Sequence, residues 1–177
     1  RVEVLADPGM FAAPNNRSDV VLKIGEKKLH VSKELLSIHS PVFEAMFFGE
    51  FAEKDKEEVE IKDVVYEEFV DLLKVIYPGH SPFTISNVSH VLKLSDRFQM
   101  KGVIEHCVIY LQNMTKFNIM KKLLLAEQYN LQKLKVGALF YLTKDFRTIV
   151  STPSNDGYKK LSNATKAMMC DRIMHLV

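Results

Sequence analysis

The sequence predicts an α+β fold in which a short N-terminal sheet is followed by helices to the end of the chain. Apolar runs typical of strands lie at residues 19–24 and 28–31, and a third, alternating run spans Val59 to Ile61. Elsewhere the apolar residues recur at helical spacing, and no strand signal returns beyond Asn113. This order of elements favours a small sheet packed with helices, continued by an all-helical C-terminal extension.

The first elements are predicted to be a β-hairpin and two short helices. A tight turn at Gly25 joins the first two strand-like runs. Ser32 can accept a hydrogen bond from the amides of the next turn and so begin a helix. Ser40 followed by Pro41 is typical of an N-cap and the first helical position, which predicts a second helix directly afterwards.

The remaining elements are predicted to be helices, apart from the strand at Val59. Glu67 and Glu68 favour the first turn of a helix that Pro78 ends. One-sided apolar stripes then predict two core helices. The core helices are predicted at 88–95 and 100–111. The helices of the extension are predicted at 119–129, about 131–146 and 161–177, with a break at 151–157 between the last two.

Composition and spacing argue against several classes of function. The 24 basic and 22 acidic residues give a net charge of +2 and are spread along the chain, so we expect neither nucleic acid nor membrane as a partner. The six histidines lack the spacing of a metal site, and no cofactor motif occurs. His106 and Cys107 are neighbours in sequence, but adjacent helical residues point about 100 degrees apart, so we expect no catalytic dyad. Cys107 and Cys170 lie in helical patterns, which favours reduced thiols in the cytoplasm or nucleus.

Two stretches of sequence resemble the BTB/POZ domain. They are Ser18-Asp19-Val20-Val21-Leu22-Lys23 and the run from Ser32 to Phe47, in which Ser-Pro-Val-Phe opens the second helix of that family. The resemblance continues to about Asn113, so it implies a BTB/POZ fold over residues 18–113 after an N-terminal arm of residues 1–17. One departure is Ser32, which stands where the family usually has histidine. The sequence is most similar to those of nematode BTB proteins, in which a MATH domain often precedes the BTB domain. The strand-like run Val2 to Leu5 is where such a domain would end.

Residues 114–177 resemble the helical extension, called 3-box or BACK-like, of substrate adaptors for cullin-3 ubiquitin ligases. The two resemblances together imply a homodimer that binds cullin-3 and recruits a substrate protein through another region. The chain itself is then not an enzyme. An alternative is a BTB scaffold that self-associates or recruits transcriptional or channel partners without a cullin, because one fold serves several functions.

A cullin-binding loop is predicted at Phe51-Ala52-Glu53, where such adaptors carry a hydrophobe-x-Glu motif. An aromatic ring on a polar loop can fill a pocket of the partner, and a neighbouring carboxylate can set the register. We assign Phe47 and Tyr77 to the same cullin-binding set. The alternative is that Phe51 folds onto its own core and that Glu53 belongs to the solvated run ending at Glu58.

A dimer interface is predicted on the arm and the first helix, which face the partner subunit in the family, and a charged pair matches one that sits near the dimer groove there. An apolar arm without a surface to cover would be a liability, so dimerisation gives a reason for it. The alternative is that the arm packs on its own subunit. The residues assigned to this interface are the apolar Leu5, Met10, Phe11 and Leu35 and the charged pair Asp19 and Lys33.

Overall fold

The computed structural model describes residues 9–49, 56–77, 83–142 and 156–174, and it confirms the predicted α+β fold. The chain divides into two units, Arg1–Cys107 and Val108–Val177. In the first unit a small sheet is packed with helices, and in the second unit every described element is a helix. No helix among the described residues is long and apolar enough to cross a membrane.

The sheet contains three strands in the order β2-β1-β3. Strands β1 (Val20–Ile24) and β2 (Lys27–Val31) form the predicted antiparallel hairpin, with Gly25 at a φ of +60° in the turn. The short strand β3 (Glu58–Glu60) pairs with β1 in parallel. Leu22 lies opposite both Leu29 and Val59, and the three side chains are buried. One face of the sheet therefore contributes directly to the core.

Serine side chains begin the first two helices, as the sequence predicts. In α1 (Lys33–His39) the Ser32 Oγ accepts a hydrogen bond from the Leu35 amide at 3.3 Å. In α2 (Pro41–Phe48) the Ser40 Oγ accepts one from the Phe43 amide at 3.1 Å. The same buried hydroxyl donates to the Phe98 carbonyl at 2.6 Å. Ser40 is therefore satisfied in the interior and fixes where α2 begins.

Three longer helices complete the first unit around an aromatic core: α3 (Tyr66–Ile76), α4 (Val88–Arg97) and α5 (Lys101–Asn113). The ring of Phe43 stacks on Phe98 with a centroid distance of 4.7 Å, and Phe69 meets Phe98 edge-on at 5.8 Å. All three rings are buried, so α2, α3 and the end of α4 are held by one cluster. Helix α5 contains the point at which the chain divides.

The second unit contains α6 (Ile119–Gln128), α7 (Gln132–Phe140), α8 (Asp156–Lys160) and α9 (Asn163–Met174). Three predicted bounds are corrected, and the first is the start of the last helix, which begins at Asn163 and not at Leu161 because Ser162 caps it. Helix α7 ends at Phe140 and not near residue 146, because the next residues turn and bury Leu142 in the core. Gly157, predicted in a break, lies in α8. The core of the unit is Met120, Leu123, Ala138, Leu139, Leu142, Leu161, Met169 and Ile173.

Candidate interaction site

A groove of about 760 Å³ lies between the N-terminal arm and α1. The described part of the arm starts with a short 3-10 helix, Gly9–Phe11, and the chain then follows the groove to Ser18. The Phe11 ring meets the Tyr77 ring edge-on at a centroid distance of 4.8 Å and is 2% exposed. Met10 is 52% exposed at the same groove, and Leu35 lines its other side. This part of the arm therefore packs partly on its own subunit and leaves one apolar side chain uncovered.

The amides that open α1 are held by two side chains from other elements. The Tyr77 hydroxyl accepts a hydrogen bond from the Ser32 amide at 2.7 Å, and the Asp19 carboxylate accepts one from the Lys33 amide at 2.7 Å. Burial raises the pKa of Tyr77, the Ser32 hydrogen bond partly offsets this rise, and the charge of Asp19 adds to it. These contacts fix the start of α1 against the groove.

The structure thus gathers most of the predicted interface residues at one place. Met10, Phe11 and Leu35 line the groove, while Asp19 and Lys33 meet beside it through the carboxylate and the backbone amide. Leu5 lies outside the described residues. Tyr77, assigned from the sequence to cullin binding, belongs to the same groove, and its 9% exposure leaves little of it for a partner.

The outer face of α2 offers a second surface. Phe48 is 55% exposed, whereas the neighbouring Phe47 is 1% exposed and stacks on Phe43 at 5.6 Å. A partner cannot reach the Phe47 ring without opening the core, so Phe47 supports this surface and does not form it. The predicted Phe51 and Glu53 lie outside the described residues. Sequence reasoning missed Phe48, although its place one residue after a core position indicates that it points away.

Beside α2 a second groove of about 560 Å³ opens between this helix and β3. It is lined by Pro41, Val42, Ala45, Met46, Val59, Glu60 and Gln99. Most of its lining is apolar, and the Glu60 carboxylate adds negative charge at its edge. We call this groove together with Phe48 the α2 surface.

An exposed apolar patch lies on the second unit. Ile109, Val136, Phe140 and Tyr141 are between 51% and 66% exposed. The groove beneath it, about 640 Å³, is also lined by amide side chains and by Lys133. The sequence signal for this patch was the i,i+4 pair Val136 and Phe140, which falls off the buried stripe of α7.

Two further features of the described residues concern the buried thiol and the histidine, cysteine and acidic side chains. Burial raises the pKa of the Cys107 thiol to about 12, so this cysteine is a core residue, as predicted. No group of three histidine, cysteine or acidic residues that could hold a metal ion occurs within the described ranges.

Comparison with known proteins identifies the family. The sequence profile of the BTB/POZ domain matches residues 10–115. The chain belongs to the BTB/POZ domain family. This BTB/POZ chain is 39% identical over 166 residues to "BTB and MATH domain-containing protein 38" of Caenorhabditis elegans, which covers 94% of the chain and 43% of that protein. It is 27% identical over 135 residues to human "Kelch-like protein 28", covering 76% of the chain and 24% of that protein.

The solved "BTB domain of zebrafish PATZ1" is similar over 55% of the chain and 77% of that structure, with 23% identity and a TM-score of 0.46. The resemblance to BTB/POZ and BTB-MATH proteins seen in the sequence is confirmed. This BTB/POZ chain spans less than half the length of either relative. Family membership supports a protein-binding adaptor role, and the family is generally non-enzymatic.

Proposed function

We propose that the chain is a homodimeric adaptor that binds cullin-3 and recruits substrate proteins to a ubiquitin ligase. The observation that carries this proposal is the α2 surface, where the 55% exposed Phe48 precedes the Phe51-Ala52-Glu53 segment by three residues. Exposed aromatic rings are typical of the anchors that contribute most to protein association, and the helix that carries Phe48 also lines an apolar groove.

In the proposed complex Phe48 and Phe51 insert into pockets of the cullin, and the groove between α2 and β3 accepts an apolar side chain in return. The Glu60 carboxylate lies at the edge of the groove, and together with Glu53 of the following sequence segment it would favour basic residues on the partner. Because Phe43 and Phe47 anchor α2 in the core through their stacked, buried rings, docking on the outer side of this helix should cost little ordering.

The groove beside the arm supports the proposed homodimer. Met10 is 52% exposed there, and a second copy of the chain would cover its side chain. Substrate selection is assigned to a further region of the protein, because one matched relative is named for a MATH domain in addition to BTB and the chain spans 43% of it. We place this function in the cytoplasm or nucleus, where Cys107 and Cys170 stay reduced.

The deciding experiment measures binding of the purified chain to the N-terminal region of cullin-3 by isothermal titration calorimetry. We expect a dissociation constant tighter than about 1 μM. Phe48→Ala and the double variant Phe51→Ala with Glu53→Ala should each weaken binding at least about tenfold. Ile85→Ala is the matched control, because Ile85 is 49% exposed and lies outside the α2 surface.

The outcomes separate the competing functions. Cullin binding that is unchanged in both α2 variants would remove the α2 surface from the proposal. No binding at about 100 μM, from a chain that still dimerises, would favour the scaffold function without a cullin. Neither outcome depends on folding, because near-native circular dichroism of each variant is required first.

The dimer has its own test, by light scattering after gel filtration. We expect a mass near twice the 20.3 kDa of one chain. Met10→Asp should shift the mass toward one subunit, since a buried carboxylate without a partner opposes association. Met168→Asp is the control, because Met168 is 41% exposed on the other unit. A wild-type mass near one subunit overturns the dimer.

A further inference from the structure

Ser162 connects three helices of the second unit. It lies between α8 and α9, where its backbone amide donates a hydrogen bond to Oε2 of Glu127 on α6 at 3.0 Å. Its hydroxyl donates to Oε1 of the same carboxylate and accepts a hydrogen bond from the Thr165 amide at 3.2 Å. Ser162 therefore caps α9 and ties the start of that helix to α6.

The Glu127 contact is the polar attachment at the start of α9, and near the other end Arg172 donates a hydrogen bond to the Phe140 carbonyl at 3.5 Å. The apolar part consists of Leu161, Met169 and Ile173, which are buried in the core of the unit. Lys135 of α7 lies 3.9 Å from Glu127 and favours its charged form. The attachment thus requires an ionised carboxylate facing an intact serine hydroxyl.

The residues before Ser162 carry a pattern that the adaptor function does not use. Lys159 and Lys160 stand three and two residues ahead of it, and both are exposed. Ser162 is exposed as well, whereas Thr165 is fully buried with 0% exposure. Of these two hydroxyl residues, Ser162 is therefore the one that a kinase could reach. Kinases with acidic substrate grooves select serines by basic residues at such positions.

We propose that Ser162 is a phosphorylation site that releases α9 from the rest of the helical unit. In the reaction the Ser162 Oγ attacks the γ-phosphorus of ATP, and an O–P bond forms as the bond to the ADP oxygen breaks. The hydroxyl proton passes to the catalytic base of the kinase. The product keeps no hydroxyl donor for Glu127.

Electrostatics sets the direction of the effect. A phosphoserine carries a charge between about −1.5 and −2 at neutral pH, and here it would face the Glu127 carboxylate at hydrogen-bond range. The N-terminus of α9 and the nearby lysines attract the phosphate, but the ionised phosphate still offers Glu127 no hydrogen-bond donor. Modification therefore exchanges a tether between α6 and α9 for repulsion.

The acceptor claim is tested by incubating the full chain with ATP, Mg²⁺ and cAMP-dependent protein kinase, followed by mass spectrometry. We expect phosphate on Ser162, its loss in Ser162→Ala, and a rate at least about tenfold lower in the Lys159→Ala, Lys160→Ala double variant. A synthetic peptide of residues 156–167 checks the kinase. Modification of the peptide but not of the chain overturns the proposal, as does an unchanged rate in the double variant.

The release claim is tested by hydrogen exchange in α9. Ser162→Glu should raise exchange over residues 163–174 at least about tenfold, because it adds charge against Glu127. Asn163→Glu is the matched control, since it adds the same charge one residue later at the start of α9, where a helix N-terminus favours it. Glu127→Gln in the Ser162→Glu background should reduce the effect. Equal exchange in Ser162→Glu and Asn163→Glu overturns the release.

Discussion

Removing the Tyr77 hydroxyl tests whether Tyr77 stabilises the fold or contacts cullin-3. Tyr77→Phe removes the oxygen that accepts the Ser32 amide at 2.7 Å and leaves the ring packed on Phe11. The amide then loses its partner in a partly buried place at the start of α1. Leaving such a donor unsatisfied costs about 1–3 kcal/mol, so we expect the free energy of unfolding to fall by about 1–2 kcal/mol.

The assay is urea denaturation followed by circular dichroism, with the cullin-3 affinity of the same samples measured in parallel. Because only 9% of Tyr77 is exposed, we expect the affinity to stay within about twofold of the wild type. Tyr141→Phe is the control, since Tyr141 is 51% exposed. A stability change below about 0.3 kcal/mol, or a clear loss of affinity at wild-type stability, would refute the reasoning.

Two further predictions concern the thiols and the acid limb of stability. Because burial raises the pKa of Cys107 to about 12 and Cys170 is exposed, Ellman's reagent should modify one thiol per native chain and both thiols in denaturant. Modification of both thiols in the native chain would contradict the buried position of Cys107. Burial alone would raise the pKa of Glu127, but hydrogen bonds from Ser162 and Thr165 and the Lys135 charge together lower it. The stabilisation that Glu127 contributes is therefore present above its ordinary pKa of 4.5 and is lost as the pH falls through the lower pKa of the folded chain. In urea denaturation at different pH values, Glu127→Gln should make the free energy of unfolding fall less steeply at acidic pH. An unchanged pH dependence would contradict the hydrogen-bond network.

Local chemistry explains which parts of the fold the sequence could predict. The turn at Gly25 and the caps at Ser32 and Ser40 depend on residues only a few positions apart, and all three were predicted correctly. The parallel pairing of β3 with β1 was not predicted, because it joins Leu22 to Val59 across 37 positions and no local signal specifies its direction. Long-range pairing of this kind is decided by packing.

The candidate surfaces were predicted less well, because exposure depends on which side of a helix a residue occupies. Phe47 and Phe48 are adjacent and chemically identical, yet one is 1% and the other 55% exposed. Only the stack of Phe47 on Phe43 decides between them. The exposure of Val136 and Phe140 likewise follows from the opposite stripe of α7 filling the core.

The net charge of +2 conceals a division that bears on every binding test. Residues 1–107 hold 13 basic and 18 acidic side chains, and residues 108–177 hold 11 and 4, so the net charges of −5 and +7 add to the +2 of the whole chain. The charges are thus unevenly spread, contrary to the sequence-based expectation. The sequence did not indicate the boundary between the two units, because that boundary falls inside α5 and not in a linker. The acidic first unit carries the α2 surface, so a basic partner suits it, and docking there should weaken as salt rises. Phosphate on Ser162 would act instead on the basic second unit. Charge changes in the first unit should therefore alter docking at the α2 surface, whereas charge changes in the second unit should alter the attachment of α9.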